Sequence, residues 1–144
     1  MTQQPVHSAS IEVRFSDLDA YGHVNNAVYF TYLETARTKL FLEPFLELSR
    51  QGLLLLVVRA ECDYKKPIQL ADRVMVDMAI EKVGRSSFDI VYTLHDGAGT
   101  VFATAKTVMV CFDSRQGKPA STPASFLAAI GAKAADLQTP ANPD

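Results

Sequence analysis

The chain has 144 residues, 48% of them hydrophobic, which is enough for one domain with a buried core. Its formal net charge is −2 at pH 7, so no basic surplus favours nucleic acid or an anionic membrane surface as a partner. The longest apolar run, Leu53 to Val58, is much shorter than the ~20 residues that span a membrane.

The cysteines and the chain ends indicate the compartment and the domain limits. Cys62 and Cys111 lie far apart in the sequence, and the first ten residues lack the basic and apolar regions of a signal peptide. Both thiols are therefore expected to be reduced, in a soluble cytoplasmic protein. Residues 1–9 and 132–144 are predicted to be flexible ends of a single domain at residues 10–131.

The first half of the chain predicts a strand followed by a long helix. Apolar and charged residues alternate from Ile11 to Phe15, the period of two that a half-buried strand shows. From Ala27 to Leu42 apolar residues recur every three or four positions, which predicts a helix. Asn25 or Asn26 is a natural N-cap for this helix, and Pro44 marks its expected end.

Four strands are predicted after Gly52. They are Leu53–Tyr64, Val74–Ile80, Phe88–Leu94 and Val101–Phe112. The first is long and apolar, so it is expected to be buried on both faces. The segment Asp96–Gly99 predicts a hairpin turn between the last two strands, and Pro123–Gly131 predicts a short helix. Consecutive strands joined by short turns, with one long helix packed on them, predict an α+β fold with an antiparallel sheet.

Ten residues between the first strand and the helix, Asp17 to Asn26, hold two carboxylates, a glycine, a histidine and two asparagines. Such a density of polar groups at a strand-to-helix junction is typical of a reactive site. The free backbone N–H groups at a helix start can stabilise an oxyanion, and a nearby carboxylate can attack a carbonyl or activate water. Asp19 lies six residues before Asn25, so both can face one substrate carbonyl.

Several motifs carry a family resemblance over roughly residues 10–113. They are Arg14-Phe15-Ser16-Asp17-Leu18-Asp19, Gly22-His23-Val24-Asn25-Asn26, Tyr29, Leu33-Glu34-Thr35-Ala36-Arg37, Asp63-Tyr64, Pro67 and Asp72. With these the chain resembles the hotdog-fold acyl-CoA thioesterases of the 4-hydroxybenzoyl-CoA thioesterase-like family. The resemblance implies a five-stranded antiparallel sheet wrapped around the helix. It also implies a homodimer or homotetramer with active sites at the subunit interface, and hydrolysis of acyl-CoA without a metal or organic cofactor.

The resemblance assigns the chemistry to the second carboxylate of the D-x-D pair, Asp19, as nucleophile or general base. The helix start at Asn25 and Asn26 would form the oxyanion site. His23 is a further catalytic candidate, although in this family it more often supports the loop or borders the pocket. Asp17 is expected to be structural, through hydrogen bonds to loop amides or a pair with an arginine.

Two other positions in or after this motif have an expected role. Gly22 is interpreted as a positive-φ position or a point of close approach to a ligand. Glu34 is the rival catalytic carboxylate, because related hotdog branches use a carboxylate on the helix. An ion pair of Glu34 with Arg37 or a neighbouring residue is the preferred interpretation.

The phosphate groups of CoA require basic or hydroxyl side chains. The candidates are Arg85, Ser86, Ser87, Arg59, Lys65 and Lys66. The first three match the segment where the family contacts CoA. The chain departs from the family beside them, because Gly84 stands where some relatives have a further basic residue, which weakens the expected grip on phosphate.

Three alternative functions remain open from the sequence. A thioesterase that uses an acyl carrier protein would need a basic outer patch, and the slight acidity of the chain favours CoA instead. A hotdog hydratase or dehydratase pairs a histidine with a carboxylate in a different local motif. A module that binds acyl-CoA without turnover would not need Asp19. A serine hydrolase is disfavoured because no G-x-S-x-G elbow is present.

Overall fold

The computed structural model describes residues 6–132, and its strands form one antiparallel sheet. The elements are β1 (His7–Ile11), α1 (Val28–Arg50), β2 (Leu53–Tyr64), β3 (Val74–Glu81), β4 (Ser87–His95), β5 (Val101–Asp113), β6 (Lys118–Pro119) and α2 (Ala124–Ala129). The sheet order is β1-β3-β4-β5-β2, with β6 paired to β5. The predicted α+β fold, one long helix against an antiparallel sheet, is confirmed. The two-residue β6 was not predicted.

The first strand lies earlier in the chain than predicted. His7–Ile11 pairs with Met78–Val74 of β3, so three residues assigned to the flexible N-terminus belong to the sheet. Phe15, predicted to be in the strand, is 81% exposed, because the chain leaves the sheet after Ile11 and turns through a short 3-10 helix. Of the other residues predicted to be flexible, Val6 is exposed and Ala132 packs in the hydrophobic core, while 1–5 and 133–144 lie outside the described residues.

Helix α1 continues beyond its predicted end. The backbone departs from helical geometry at Phe41, with φ −126° and ψ 18°, and then resumes as far as Arg50. Pro44 lies in the first turn of this second segment, where its missing N–H breaks no helical hydrogen bond. The proline therefore kinks α1 and does not end it. The helix ends before Gly52, whose φ of 78° a residue with a side chain rarely adopts.

Strand β2 is an edge strand and is not buried on both faces. It pairs with β5 along one edge, and Leu54, Leu56, Val57 and Val58 are each between 40% and 58% exposed. A bulge between Val57 and Arg59 lies near the middle of the strand. The apolar run was predicted to be buried on both faces, but β2 is the last strand in the sheet order, where the described residues supply no neighbour on its outer side.

The remaining connections match the sequence patterns. The turn between β4 and β5 is held by Asp96, whose Oδ1 accepts hydrogen bonds from the N–H groups of Ala98 and Thr100. Cys62 and Cys111 are both free thiols. No helix in the described part of the chain is long and apolar enough to cross a membrane.

Candidate active site

The buried carboxylate of Asp17 holds the loop between β1 and α1 in place. Its oxygens accept hydrogen bonds from the Arg14 N–H at 2.9 Å, from Arg14 Nη2 at 3.0 Å and from Tyr32 Oη at 2.7 Å. Burial alone would raise the pKa of Asp17, but the hydrogen bonds from the Arg14 backbone, Tyr32 and the Arg14 guanidinium outweigh it and lower this pKa. The structure thus agrees with the predicted structural role for Asp17.

Asp19 lies at the base of a tight loop. Its N–H donates to the His23 carbonyl at 2.8 Å, and its own carbonyl accepts from the Gly22 N–H at 3.0 Å. Gly22 has φ 80° and no atom within 4 Å of the place where a Cβ would stand. The loop therefore requires glycine for its backbone conformation and not for space. His23 extends the loop into a β-bridge with Gln69.

A cleft of about 320 Å³ opens between this loop, the start of α1 and the end of β2. It is lined by Asp19, His23, Val24, Asn26, Tyr29, Tyr64, Lys65, Lys66 and Pro67. The carboxylate of Asp19 is half-buried; its Oδ1 accepts from the Tyr21 N–H at 2.9 Å, and its Oδ2 accepts no hydrogen bond from the described residues. One carboxylate oxygen is therefore available for chemistry in the cleft.

Just before α1, the backbone N–H groups of Asn25 and Asn26 differ in their hydrogen bonding. The Asn25 N–H donates to the Asp17 carbonyl, and its Oδ1 accepts from the Ala27 N–H, both at 2.9 Å. The N-cap of α1 is Ala27, so the predicted cap, Asn25 or Asn26, lies just before it, and Asn25 closes the turn that leads into the helix. Neither the Asn25 N–H nor that of Ala27 is free for an oxyanion. The Asn26 N–H donates no hydrogen bond within residues 6–132, and Asn26 lines the cleft. Of the N–H groups predicted to bind the oxyanion, only that of Asn26 is unbonded among the described residues.

Two tyrosines from the motifs that carry the family resemblance, neither of them predicted to be catalytic, complete the cleft. The rings of Tyr29 and Tyr64 meet edge to face at 4.8 Å, and Tyr64 Oη donates to the Asn26 carbonyl at 2.9 Å. Burial raises the pKa of both hydroxyls, so both are neutral near pH 7. Tyr64 thereby ties the end of β2 to the helix start. Its position directly before Lys65-Lys66-Pro67 was the signal in the sequence.

The residues expected to bind CoA do not come together in one chain. Lys65 and Lys66 lie on the rim of the cleft, and their N–H groups both donate to the Phe102 carbonyl at the start of β5. The segment that begins at Arg85 packs at the opposite end of the same strand, where the Cys111 N–H donates to the Ser86 carbonyl. Nine residues of extended β5 separate these two contacts by roughly 30 Å.

The other candidates for CoA have partners of their own. Arg85 Nε donates to Ser121 Oγ at 3.1 Å, and Ser86 is 7% exposed. Ser87 follows at the first position of β4. Arg59 pairs with Glu61 on the exposed face of β2, with 3.3 Å between Nη2 and Oε2. In a single chain, only the two lysines among the six candidates line the Asp19 cleft.

Glu34, the rival carboxylate, lies two helical turns beyond Asn26 and lines neighbouring grooves rather than the Asp19 cleft. It is exposed, and its expected ion pair with Arg37 does not form within the described residues. The sequence spacing allowed this ion pair, but the Arg37 side chain instead donates a hydrogen bond to the Tyr92 hydroxyl on β4.

Comparison with known proteins identifies the family of this chain. Residues 13–130 match the model of the thioesterase-like superfamily. The chain belongs to this superfamily. A 1,4-dihydroxy-2-naphthoyl-CoA hydrolase from Synechococcus elongatus is 34% identical over 118 residues, covering 74% of this chain and 83% of that protein. The long-chain acyl-CoA thioesterase FadM from Escherichia coli is 31% identical over 112 residues, covering 75% and 84%.

A solved structure supports the same fold. The 1,4-dihydroxy-2-naphthoyl-CoA thioesterase from Synechocystis superposes with a TM-score of 0.79 at 21% identity, covering 88% of this chain and 96% of that chain. This likeness confirms the predicted hotdog fold, and the family model with the two relatives above confirms the predicted family and the predicted class of enzyme, a thioester hydrolase.

Proposed function

We propose that this thioester hydrolase acts on acyl-CoA, with the thioester carbonyl bound in the cleft between Asp19 and Asn26. One observation carries the proposal: a half-buried carboxylate with a free oxygen shares a cleft with the unused N–H of Asn26 at the start of α1. The carboxylate supplies the nucleophile or the base, and the amide stabilises the negative charge that develops on the carbonyl oxygen.

The step can be followed atom by atom. If Asp19 is the base, it takes a proton from water while the water oxygen bonds to the thioester carbon. The carbonyl oxygen becomes an oxyanion that accepts from the Asn26 N–H, next to the positive end of the α1 dipole. Collapse of this intermediate breaks the carbon–sulfur bond, and the leaving thiolate takes the proton from Asp19, which gives CoA thiol and the acid. If Asp19 attacks directly, its carboxylate displaces CoA thiolate to form an acyl-enzyme anhydride, and water then hydrolyses the anhydride to the acid and the Asp19 carboxylate.

The acyl donor is proposed to be CoA. The two relatives named above act on CoA thioesters, by their names, but on different acyl groups, one aromatic and one long-chain. The common part is CoA, and Lys65 and Lys66 on the cleft rim suit its phosphate groups. The alternative donor, an acyl carrier protein, shares the pantetheine arm but would place protein, not nucleotide, against these lysines.

The decisive experiment follows thiol release from aromatic, short-chain and long-chain acyl-CoAs and from the matching acyl carrier proteins. The expected result is hydrolysis of at least one acyl-CoA, faster than that of the same acyl group on a carrier protein. Binding of acyl-CoA without thiol release would instead favour a non-catalytic module. Addition of water to an enoyl-CoA would favour a hydratase.

Removing the two rim lysines should weaken substrate binding and spare the chemistry. For Lys65→Ala with Lys66→Ala we expect KM for the best acyl-CoA to rise about 5–20-fold while kcat changes less than about two-fold. The dependence of KM on salt should also decrease. The matched control is Lys118→Ala, an exposed lysine on β6 outside the cleft. An unchanged KM with a reduced kcat would contradict this role for the lysines.

A homodimer that pairs the β2 edges is proposed as the functional unit. The open edge and exposed leucines of β2 are features that proteins normally cover. In a dimer or tetramer, another copy can bring its Arg85, Ser86 and Ser87 to this cleft, which its own chain cannot do. Sedimentation should give at least twice 15.8 kDa at micromolar concentration.

Charged residues on the open edge should dissociate this assembly. Leu54→Lys with Leu56→Lys changes exposed side chains, so the fold should persist while the dimer weakens at least about tenfold. Leu42→Lys, at a similarly exposed position on α1, is the control. A monomeric wild type would contradict the proposed dimer. A cytoplasmic location remains a prediction, consistent with the two free cysteines.

A further inference from the structure

A buried cation on α1 has no counter-charge among residues 6–132. Arg37 is 8% exposed, and its Nη1 donates to Tyr92 Oη at 3.1 Å. The Tyr92 hydroxyl in turn lies 2.7 Å from Thr107 Oγ1. Hydroxyl groups accept hydrogen bonds but carry no charge, and a buried guanidinium without an anion is energetically costly. No carboxylate of residues 6–132 forms an ion pair with Arg37.

An unpaired acid lies beside this cation on the same helix. Glu34 is exposed and makes neither a hydrogen bond nor an ion pair with any described residue. Glu34 and Arg37 are three residues apart, so they share one face of α1. Both line two adjoining grooves between α1 and β2, and both grooves also contain Val57. The open edge of β2 therefore runs directly beside one unpaired acid and one unpaired base.

The position of this pair along β2 is specific. The smaller groove holds Val57 and Ala60, which flank the bulge in the middle of the strand Leu53–Tyr64. If β2 pairs antiparallel with its own copy along its whole length, the two-fold axis passes near that midpoint. The α1 helices of the two copies then run antiparallel past each other at the level of Glu34 and Arg37.

We infer that Glu34 of each copy forms an ion pair with Arg37 of the partner subunit, across the two-fold axis. In such a symmetric interface, a contact from residue 34 to residue 37 is repeated from 37 to 34. Two acids and two bases that are unpaired in separate chains are thus paired together. This inference rests on the proposed β2 dimer and adds the charge pair that fixes its register.

An anionic group at the far end of the acyl chain is the other anion that would suit Arg37. The Asp19 cleft and the two grooves are all lined in part by α1, although the cleft shares no lining residue with either groove. Such an anion would pair Arg37 but leave Glu34 unpaired beside a second negative charge. The reciprocal pair uses both residues, and the structure therefore favours it.

Charge complementation between two variants tests the inference. Glu34→Arg gives a chain with two bases at these positions, and Arg37→Glu gives a chain with two acids. Each variant alone should dimerise at least about tenfold more weakly than wild type, because like charges face each other. A mixture of the two should form a heterodimer with a Kd within about threefold of wild type. Native mass spectrometry and sedimentation equilibrium give both quantities.

The mixture distinguishes a pair between subunits from a pair within one chain. A pair within one chain would be disrupted in both variants and would not be restored by mixing. A heterodimer no tighter than either homodimer would therefore overturn the inference. Wild-type dimerisation by both single variants would overturn it as well.

Arg37→Glu places a carboxylate at a buried position and could prevent folding, so a milder variant is needed as a second test. Glu34→Gln changes an exposed side chain and should keep the wild-type circular dichroism spectrum. We expect its dimer to be about 5–20-fold weaker and to depend less on salt. An unchanged Kd with unchanged salt dependence would overturn the inference even if Arg37→Glu does not fold.

The measured quantity is assembly and not hydrolysis, so failure of the inference is separate from failure of the proposed function. An active dimer without complementation refutes the ion pair alone. A complementing dimer that hydrolyses no acyl-CoA refutes the substrate assignment alone. If Glu34→Gln dimerises normally while Arg37→Gln raises KM only for acyl-CoAs with a distal carboxylate, Arg37 binds the acyl group and the inference is overturned.

Discussion

Replacement of Asp19 by asparagine should abolish thioester hydrolysis, lowering kcat by at least about 10³-fold. Asparagine keeps the shape of the side chain, and its Oδ1 can still accept the hydrogen bond from the Tyr21 N–H. What is lost is the charged oxygen that faces the cleft. Because Asp19 is only half-buried and makes no ion pair in the described structure, the melting temperature should change by less than about 2 °C.

Asp96→Asn is the matched control for this prediction. Asp96 also supports its own turn through Oδ1, but it lies in the β4–β5 hairpin, outside the cleft. It should retain wild-type kcat and KM. Thiol release by Asp19→Asn within tenfold of wild type would contradict a catalytic Asp19. In that case Glu34→Gln, assayed at a concentration where the protein is dimeric, tests the rival carboxylate.

Asp17 should show the opposite behaviour, with a large effect on stability. Asp17→Ala should lower the free energy of unfolding by about 2–4 kcal/mol, measured by urea denaturation. The change leaves the buried Tyr32 hydroxyl without its acceptor and releases the Arg14 N–H and guanidinium. The exposed Arg14 contributes little of this loss because water screens it. Tyr32→Phe, which removes one of these hydrogen bonds, should lower stability by about 1 kcal/mol.

The contribution of Asp17 should also depend on pH. Its folded-state pKa is lowered below the ordinary value of 3.8, so the folded state favours the ionised carboxylate. The stabilisation is therefore fully present above the unfolded-state pKa and decreases as the pH falls through the lowered folded-state pKa. The difference in unfolding free energy between wild type and Asp17→Asn should be constant from pH 5 to 7 and shrink below about pH 4. A difference that grows with acid would contradict the assignment.

The predictions from sequence were most reliable where a residue acts on its immediate neighbours. Asp17 pairs with an arginine three residues away, Asn25 accepts the Ala27 N–H in the turn that leads into α1, and Gly22 has the positive φ of a tight loop. These interactions are local, so the spacing of residue types determines them. Pro44 was predicted to end the helix, which was wrong, because α1 departs from helical geometry only at Phe41 and then continues to Arg50.

The errors arose where the neighbour is distant in the chain. An apolar run such as β2 looks the same at the centre of a sheet and at its edge. Tyr64 reaches the Asn26 carbonyl across 38 residues, and Arg37 reaches Tyr92 across 55. No local pattern encodes such contacts. Arg85 lies far from Lys65 and Lys66 for the same reason. Strand pairing, which joins segments distant in the sequence, places them at opposite ends of β5.

The sequence by itself determined the order of the elements, the loop that holds Asp19 and the carboxylate proposed for the chemistry, because these depend on periodicity, turn residues and short spacings. The tertiary structure decided which helix-start amide is left unbonded, which basic residues reach the cleft and which charges lack a partner. Those properties depend on which hydrogen-bonding and charged groups are already satisfied, and only the packing of distant segments determines that.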